Sequence, residues 1–364
     1  MIYLDHHAAS PPCEQALAAM EAARESAWAN PASVHGAGRA ARALLERARE
    51  QIAAAIGASP AEVVLTSGGT EACNLALLGM RPERIVTTAI EHPAVARCID
   101  RHESRGVPVE RLPILAGSAP AIAPRPGTLL ALASVNHETG TILPASELAA
   151  EARAAEAVTF VDATQHAGKL ALDVGSLGAD LVAIASHKLG GPAGAGALWI
   201  RRDTPCELSA HSLGGGQERG RRPGTPDVLA AVGFGAACTA LATRLAEAPR
   251  LAALRDRLEA SLLADGWVAN AADLPRVATV TSLSLRGARG DTLVAALDLE
   301  GVCAASGAAC SSGLQEPSPV LRAMYPDEPW RAESALRMSF GPQITDSEVN
   351  FALEAVRRVA ARST

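Results

Sequence analysis

Lysine is the residue type in this sequence that points most directly to covalent chemistry. The chain has 33 basic side chains, and only two of them, Lys169 and Lys188, are lysines. An arginine guanidinium stays charged at any accessible pH, whereas a desolvated lysine can lose its proton and form a Schiff base. Lys188 follows an apolar run and precedes a pair of glycines. Composition alone leaves both lysines as either reactive amines or ordinary surface cations.

Two further polar segments are suited to binding a charged cofactor. Residues 66–71 read Thr-Ser-Gly-Gly-Thr-Glu, and a glycine-rich turn before a helix offers backbone N–H groups to an anion. A plain strand–helix turn is the alternative. Asp162 closes an apolar run, so it would be desolvated unless it met a cation such as a protonated pyridine nitrogen. The alternative for Asp162 is an ordinary helix cap.

The elements that must position these residues alternate between short apolar runs and helical stretches. Their patterns predict strands over 63–66, 84–89, 129–135, 160–162, 181–185 and 197–200, and helices over 38–57, 71–78, 94–102 and 146–156. This alternation is typical of a mostly parallel α/β sheet, in which ligands bind at the carboxyl ends of the strands. An anion cradle, an Asp and a lysine at one such edge together indicate pyridoxal 5′-phosphate (PLP).

The pattern changes after about residue 229. A long Ala/Leu/Arg stretch to about residue 263 predicts one or two helices. An apolar run over 278–285, a helical stretch over 292–299 and an amphipathic end over 347–361 follow. The sequence therefore predicts two domains. The large one is residues 11–255, and the smaller α+β domain combines residues 1–10 with residues 256–364.

Composition argues against several function classes. The net charge is −6 and there is no basic block, so nucleic acid is not an expected partner. No apolar run approaches the ~20 residues of a membrane span, and the N-terminus lacks a signal peptide. We therefore expect a cytoplasmic protein without membrane contact. The seven cysteines are scattered, odd in number and without a CxxC pair, which argues against a disulfide framework or a zinc site.

Cys310 stands apart from the other cysteines because of its neighbours. It lies in a run of Ser, Gly and Ala between residues 304 and 313, and such small side chains predict a mobile loop. A thiol there is placed to attack a group and carry it away. The alternative is a chance exposed thiol. Cys303, just before this segment, is expected to be buried.

In these combined features the chain resembles the cysteine desulfurases of the NifS/IscS type, which are PLP enzymes of fold type I. The resemblance runs from Tyr3 to about Ala360. It rests on ordered blocks that include residues 30–35, 66–71, 91–92, 135–140, 161–165, 187–188, 214–220, 224–225, 306–310 and 337–341. It implies an α/β fold with a mostly parallel seven-stranded sheet sandwiched by helices, plus a smaller α+β domain.

The resemblance also implies roles for the matching residues. Lys188 forms the Schiff base with PLP and later moves a proton. Cys310 attacks the sulfur of bound L-cysteine, which leaves alanine and a persulfide for a sulfur-acceptor protein. His92 stacks on the cofactor ring and acts as an acid or base. The other implied contacts to the cofactor or to the substrate carboxylate come from Gly69, Thr70, Asn136, Asp162, Gln165, His187, Arg337 and, across a homodimer, Thr225 of the partner subunit.

The chain departs from the family pattern in places. A serine that usually contacts the phosphate is replaced by Ala185, and Ser186 is the candidate substitute. Residues 7–10 differ from the usual Asn-Ala-Thr-Thr, and the C-terminal extension of longer members is absent. Lys169 is expected to be structural or an ion-pair partner. Two alternatives stay open: a lyase acting on selenocysteine or another cysteine-like substrate, and a largely non-catalytic partner-binding subunit.

Overall fold

A computed structural model describes residues 1–114, 121–210, 212–307 and 317–363. Its strands are β1 (Ile2–Tyr3), β2 (Val63–Thr66), β3 (Arg84–Thr88), β4 (Val109–Leu112), β5 (Thr128–Ala133), β6 (Val158–Asp162), β7 (Leu181–Ala185), β8 (Gly196–Ile200), β9 (Val268–Ala269), β10 (Val280–Ser284), β11 (Val302–Cys303) and β12 (Ala335–Ser339).

The α-helices follow the same chain order. They are α1 (Glu14–Ala23), α2 (Gly36–Ala55), α3 (Gly69–Gly79), α4 (Pro93–Glu103), α5 (Ala145–Ala154), α6 (Val174–Leu177), α7 (Val228–Thr239), α8 (Leu241–Ala246), α9 (Ala248–Ala264), α10 (Gly290–Leu299), α11 (Pro319–Met324), α12 (Trp330–Glu333) and α13 (Asp346–Ser363). A 3₁₀ turn over Ser186–Lys188 follows β7 directly.

The main sheet confirms the predicted fold class. Its strands lie in the order β2-β8-β7-β6-β5-β3-β4 in the described chain. The pairs from β7 through β4 are parallel, whereas β8 runs antiparallel to both of its neighbours. The predicted strands over 63–66 and 181–185 have the observed bounds. The parallel strands β5, β6 and β7 therefore have their carboxyl ends at one edge of the sheet, where the polar segments were expected to meet.

Both faces of the sheet are covered by helices. Since successive strand residues point to opposite sides, neighbouring residues of one strand pack against different helices. Phe160 and Leu181 pack with α3 and α4 in one apolar cluster. Their neighbours Val161 and Val182 pack with α2, α5 and α7 in another. This two-sided burial explains why the strands are apolar along their whole length rather than alternating with polar residues.

A second core lies around the sheet β12-β10-β9 and the parallel pair β1-β11. Its buried residues come from the N-terminus, including Ile2 and Leu4, and from α9, α10 and α13. It also includes Leu251 and Leu254, which precede residue 256. The division into residues 11–255 against 1–10 and 256–364 stays a prediction.

The long Ala/Leu/Arg stretch differs from the prediction of one or two helices. It forms three, α7, α8 and α9, with breaks at Ala240 and Glu247. Pro249 lies in the first turn of α9. Proline lacks a backbone N–H and is tolerated there but not in a helix interior, so the chain has to begin a new helix at this point. Within the described residues, no helix has the length and apolar character needed to cross a membrane.

Candidate active site

A cavity of about 410 Å³ opens at the carboxyl ends of β2, β6 and β7. It is formed where β6 ends at Asp162, where β7 continues into the turn that carries Lys188, and where α3 and α4 begin. The structure brings together in its walls the predicted residues Gly69, Thr70, His92, Asp162, Gln165, His187 and Lys188.

Two backbone carbonyls hold the Lys188 amine. Nζ donates to the carbonyl of His7 over 2.6 Å and to that of Ala8 over 2.8 Å. The His7 carbonyl also accepts a hydrogen bond of 2.8 Å from Gln165 Nε2. Sequence reasoning gave the residues at 7 and 8 no role, and their backbone orients two of the predicted cofactor contacts.

Asp162 and Gln165 present acceptors at the cavity. Asp162 is buried, and its Oδ1 accepts the Thr164 N–H over 2.9 Å in a local turn rather than at a helix N-terminus. Gln165 Oε1 is buried and has no hydrogen-bond partner among the residues that the structure describes. An unsatisfied buried acceptor costs about 1–3 kcal/mol, so this atom fits a ligand that supplies a hydroxyl donor. The residues present therefore fit PLP, which carries a ring hydroxyl and a protonated ring nitrogen.

The start of α3 is the segment in which the sequence predicts an anion cradle. A Cβ added at Gly69 would lie 3.0 Å from Thr164 Oγ1 and 3.3 Å from Ala185 Cβ, so a larger residue would crowd the turn. Glu71 accepts the Ser67 N–H and is itself paired with Arg222 over 2.9 Å. Arg222, distant in sequence, thus offsets the negative charge of Glu71 beside a site suited to phosphate.

His92 caps the N-terminus of α4. Its Nδ1 accepts the Ala94 N–H over 3.1 Å. Burial lowers the pKa of His92, the Asp162 carboxylate opposes that shift, and Lys188 adds to it. The neutral ring therefore carries its proton on Nε2. His92 is arranged to donate through Nε2, and it acts as a base only after that proton has left.

His187 also lies in the cavity wall. Burial lowers its pKa to about 4, with further lowering by Lys188 and Lys169. It is therefore neutral near pH 7, and one ring N–H is available as a hydrogen-bond donor to a bound phosphate.

The structure does not support Ser186 as the replacement for the missing phosphate contact. Its side chain is fully buried and does not line the cavity, whereas Ala185 does. A Cβ added at Gly191 would lie 2.2 Å from Ser186 Oγ, so this hydroxyl faces Gly191. Neighbouring residues at the end of a strand point in different directions, which is the physical reason for the error.

Asn136 likewise does not lie in the cavity wall. Its Nδ2 donates to the Ile90 carbonyl, and its Oδ1 accepts from the backbone N–H groups of Glu138 and Thr139 and from Thr139 Oγ1. Oδ1 thus holds the turn, and Nδ2 joins it to Ile90. His137, to which the sequence gave no role, takes the wall position, with its ring 5.0 Å from that of His92 in a T-shaped contact.

Arg337 lies behind this wall. Its Nη1 donates to the His137 carbonyl over 3.0 Å, and its Nη2 pairs with Asp5 over 2.7 Å. The side chain is buried, and Nε has no hydrogen-bond partner in the described part of the chain. Arg337 is therefore fixed by Asp5 beside the cavity rather than exposed in it, and its contact with a substrate carboxylate stays a prediction.

The remaining predicted residues lie elsewhere. Thr225 is exposed and does not line the cavity of its own chain. Cys310 lies outside the described residues. Cys303 is half-buried rather than buried. Lys169 is buried, and in the described chain its Nζ has neither a hydrogen bond nor an ion pair, which contradicts the ion-pair alternative and leaves a structural role as the prediction. Burial, Arg244 and other cations lower the pKa of Lys169 well below its usual range.

We expect Ala185→Ser to tighten PLP binding about tenfold or more. Ala185 lines the cavity beside Gly69, so a hydroxyl there adds one donor to the cradle, and a hydrogen bond to a charged group contributes about 1.5–3 kcal/mol. Cofactor affinity measured by fluorescence quenching tests this. Ala183→Ser, in the same strand but packed away from the cavity, is the control. Unchanged affinity in Ala185→Ser would show that another group already fills the position.

Comparison with known proteins places this geometry in a family. The model of the aminotransferase class-V family matches residues 2–351. The chain belongs to this family. It is 41% identical to the "IscS-like cysteine desulfurase" of Mycobacterium tuberculosis, over 100% of this chain and 97% of the relative.

Solved structures agree with the family assignment. A structure described as "NIFS-LIKE PROTEIN" matches this class-V member with a TM-score of 0.89 and 28% identity, covering 99% of both chains. Another, described as "SspA in complex with cysteine", matches with a TM-score of 0.78 and 27% identity, covering 95% of this chain and 100% of that one. The fold and the cavity therefore belong to a family of enzymes.

Proposed function

We propose that this enzyme is a PLP-dependent cysteine desulfurase. The observation that carries the proposal is the convergence of Lys188, Asp162 and the unpartnered Gln165 Oε1 on one cavity. Full-length similarity to relatives named as cysteine desulfurases supports the same activity.

The cavity residues divide the task of holding PLP. Lys188 would bond its aldehyde carbon, Asp162 would pair with the ring nitrogen, and Gln165 would accept from the ring hydroxyl. The N–H groups of Gly69 and Thr70 would hold the phosphate together with His187. Bound PLP supplies an electron sink for a carbanion at the substrate Cα.

The chain's own groups then act on L-cysteine. Lys188 accepts the Cα proton once its amine is released, and Arg337 binds the carboxylate, for which a guanidinium is suited. The Cys310 thiolate attacks the substrate sulfur. The new S–S bond forms on Cys310, the Cβ–S bond breaks, and its electron pair stays with carbon. Protonation of that carbon, for which His92 Nε2–H is a suitable donor, leads to alanine.

The proposal also covers the oligomeric state, the sulfur acceptor and the cellular location of the protein. Thr225 is exposed and outside its own cavity, which fits a homodimer in which Thr225 of the partner subunit reaches the phosphate. The Cys310 persulfide would pass to a sulfur-acceptor protein. A cytoplasmic location stays a prediction from the sequence.

The test is to incubate the holoenzyme with L-cysteine and analyse both products. We expect alanine in the solution and a mass gain of one sulfur atom on the peptide that contains Cys310. Alkylation before digestion preserves the persulfide, and treatment with a reductant should remove the added mass. Pyruvate and ammonia in place of alanine, with no added sulfur on Cys310, would contradict the proposal.

A further inference from the structure

The turn over residues 136–140 directs two neighbouring side chains to opposite sides. Asn136 Oδ1 fixes the turn by accepting the N–H groups of Glu138 and Thr139, each over 2.9 Å. His137 faces the cofactor cavity, whereas Glu138 is not among the residues that line it. Glu138 is nevertheless only 2% exposed. A carboxyl group buried next to a proposed active site, with no role in binding the cofactor, requires an explanation.

Glu138 contacts Gly307 and Ser318, which lie on either side of the segment that contains Cys310. Ser318 Oγ donates to Glu138 Oε2 over 2.5 Å. Gly307 lies so close to the same oxygen that a Cβ added there would be 2.8 Å from it. Gly307 also has a φ of +91°, a conformation that glycine adopts without strain. One carboxyl oxygen is therefore hydrogen-bonded to residue 318 and lies in close contact with residue 307.

The Ser318 end of this contact is firmly built into the fold. Ser318 is fully buried, its Oγ also accepts the Leu321 N–H at the start of α11, and its backbone N–H donates to the Ala332 carbonyl. Because α11 contributes Val320 and Met324 to the main apolar core, the contact to Glu138 joins that core to the turn behind the cavity wall.

The other oxygen of Glu138 faces the cavity wall. Among the described residues Oε1 has no hydrogen-bond partner, and it lies 3.7 Å from His137 Nε2. Burial raises the pKa of Glu138 to about 7, although Ser318 and Arg337 act in the opposite direction. The carboxyl group thus lies between the wall residue His137 on one side and Gly307 and Ser318 on the other.

We propose that Glu138 is a positioning residue for sulfur transfer, which holds Gly307 and Ser318 against the cavity wall and thereby sets the approach of the Cys310 thiol. The proposal rests on the proposed function, because it concerns the thiol assigned there to attack. Cys310 follows Gly307 by three residues in the sequence, and a chain spans at most ~3.3–3.6 Å per residue, so fixing Gly307 would limit the range of the thiol. Small errors in placing a reacting group are costly, since misplacement by 1 Å can lower a rate about 10²-fold.

The test separates sulfur transfer from the earlier step in single-turnover experiments on the holoenzyme. Glu138→Gln removes the charged acceptor with little change in size, and Ser318→Ala removes the hydroxyl. We expect persulfide formation on Cys310 to slow about tenfold or more in both variants. The cysteine-induced change in cofactor absorbance should stay within about twofold of the wild-type rate, since neither residue lines the cavity.

Thr345→Ala is the matched control for Ser318→Ala. Thr345 Oγ1 accepts the Glu348 N–H at the start of α13, so this variant loses a helix-capping hydroxyl far from the cavity. It should form persulfide at the wild-type rate. Wild-type persulfide rates in both Glu138→Gln and Ser318→Ala, or a parallel loss of both steps together with a lower melting temperature, would overturn the inference. Failure of the wild type to form any persulfide would instead refute the proposed function.

Discussion

Lys188→Ala is expected to yield a folded protein without the visible absorbance of covalently bound PLP and without desulfurase activity. In the described chain Lys188 is the only amine that lines the cavity. The variant therefore loses both the covalent link and the group that moves the Cα proton. Loss of a general acid–base group alone lowers rates about 10²–10⁴-fold, so activity should fall by at least this factor. Absorbance spectra and alanine production measure the two effects.

Lys169→Met is the matched control for this experiment. Lys169 is the other lysine of the chain and is more deeply buried than Lys188, but it does not line the cavity. Methionine replaces the buried amine, which has no hydrogen bond, by an apolar group of similar length. We expect the spectrum and activity of Lys169→Met to be retained. A yellow, active Lys188→Ala protein would exclude Lys188 as the cofactor ligand.

Cys310→Ser is expected to keep the cofactor spectrum and to lose sulfur transfer. A serine hydroxyl is a far weaker nucleophile toward sulfur than a thiolate, since it is not ionised near neutral pH. Release of sulfide from L-cysteine in the presence of a reductant should fall by roughly two orders of magnitude or more. The cysteine-induced absorbance change should remain, because binding and loss of the Cα proton do not require this thiol.

Cys303→Ser provides the control for Cys310→Ser. Cys303 is half-buried in β11, where it pairs with Tyr3, and burial raises the pKa of its thiol. Its replacement should leave sulfide release close to the wild-type level. Full activity in Cys310→Ser combined with loss of activity in Cys303→Ser would move the nucleophile to the earlier cysteine. Full activity in both variants would favour a lyase that eliminates sulfur without an attacking thiol.

The sequence predicted the fold, and the meeting of several polar residues at one edge of the sheet, for a physical reason. Strands buried on both faces must be apolar throughout, so polar residues at their ends stand out. Asp162 and Lys188 follow β6 and β7 in this way, and parallel pairing brings their strand ends to one edge. Neither conclusion required knowledge of side-chain directions.

The remaining part of the site depends on the directions of side chains, which the order of residues in the sequence does not reveal. Whether Asn136 or His137 enters the cavity is decided by hydrogen bonds that the Asn136 side chain makes within its own turn. Ser186 turns toward Gly191 because a 3₁₀ turn begins directly after β7. In both cases the family pattern identified the correct segment, and local backbone geometry decided which side chain is used.

Contacts between distant segments were also beyond prediction from a single sequence. Arg222 and Glu71 are 151 positions apart, yet they pair beside the cradle. Glu218 accepts two hydrogen bonds of 2.7 Å from Arg49 and one from the Leu65 N–H, which joins the segment before Thr225 to β2. The charged residues of these segments did not indicate in the sequence which partners they would bind.

The pairing of β1 with β11 has a consequence for how the protein is made. Ile2 and Tyr3 pair with Val302 and Cys303, so the first strand leaves the ribosome long before its partner exists. The carbonyls of His7 and Ala8, which hold the Lys188 amine, follow that strand directly. Contacts so distant along the chain form late in folding. A nascent chain that has completed the main sheet therefore still lacks the carbonyl contacts that orient the Lys188 amine. We expect the cofactor to bind only when synthesis of the chain is nearly complete.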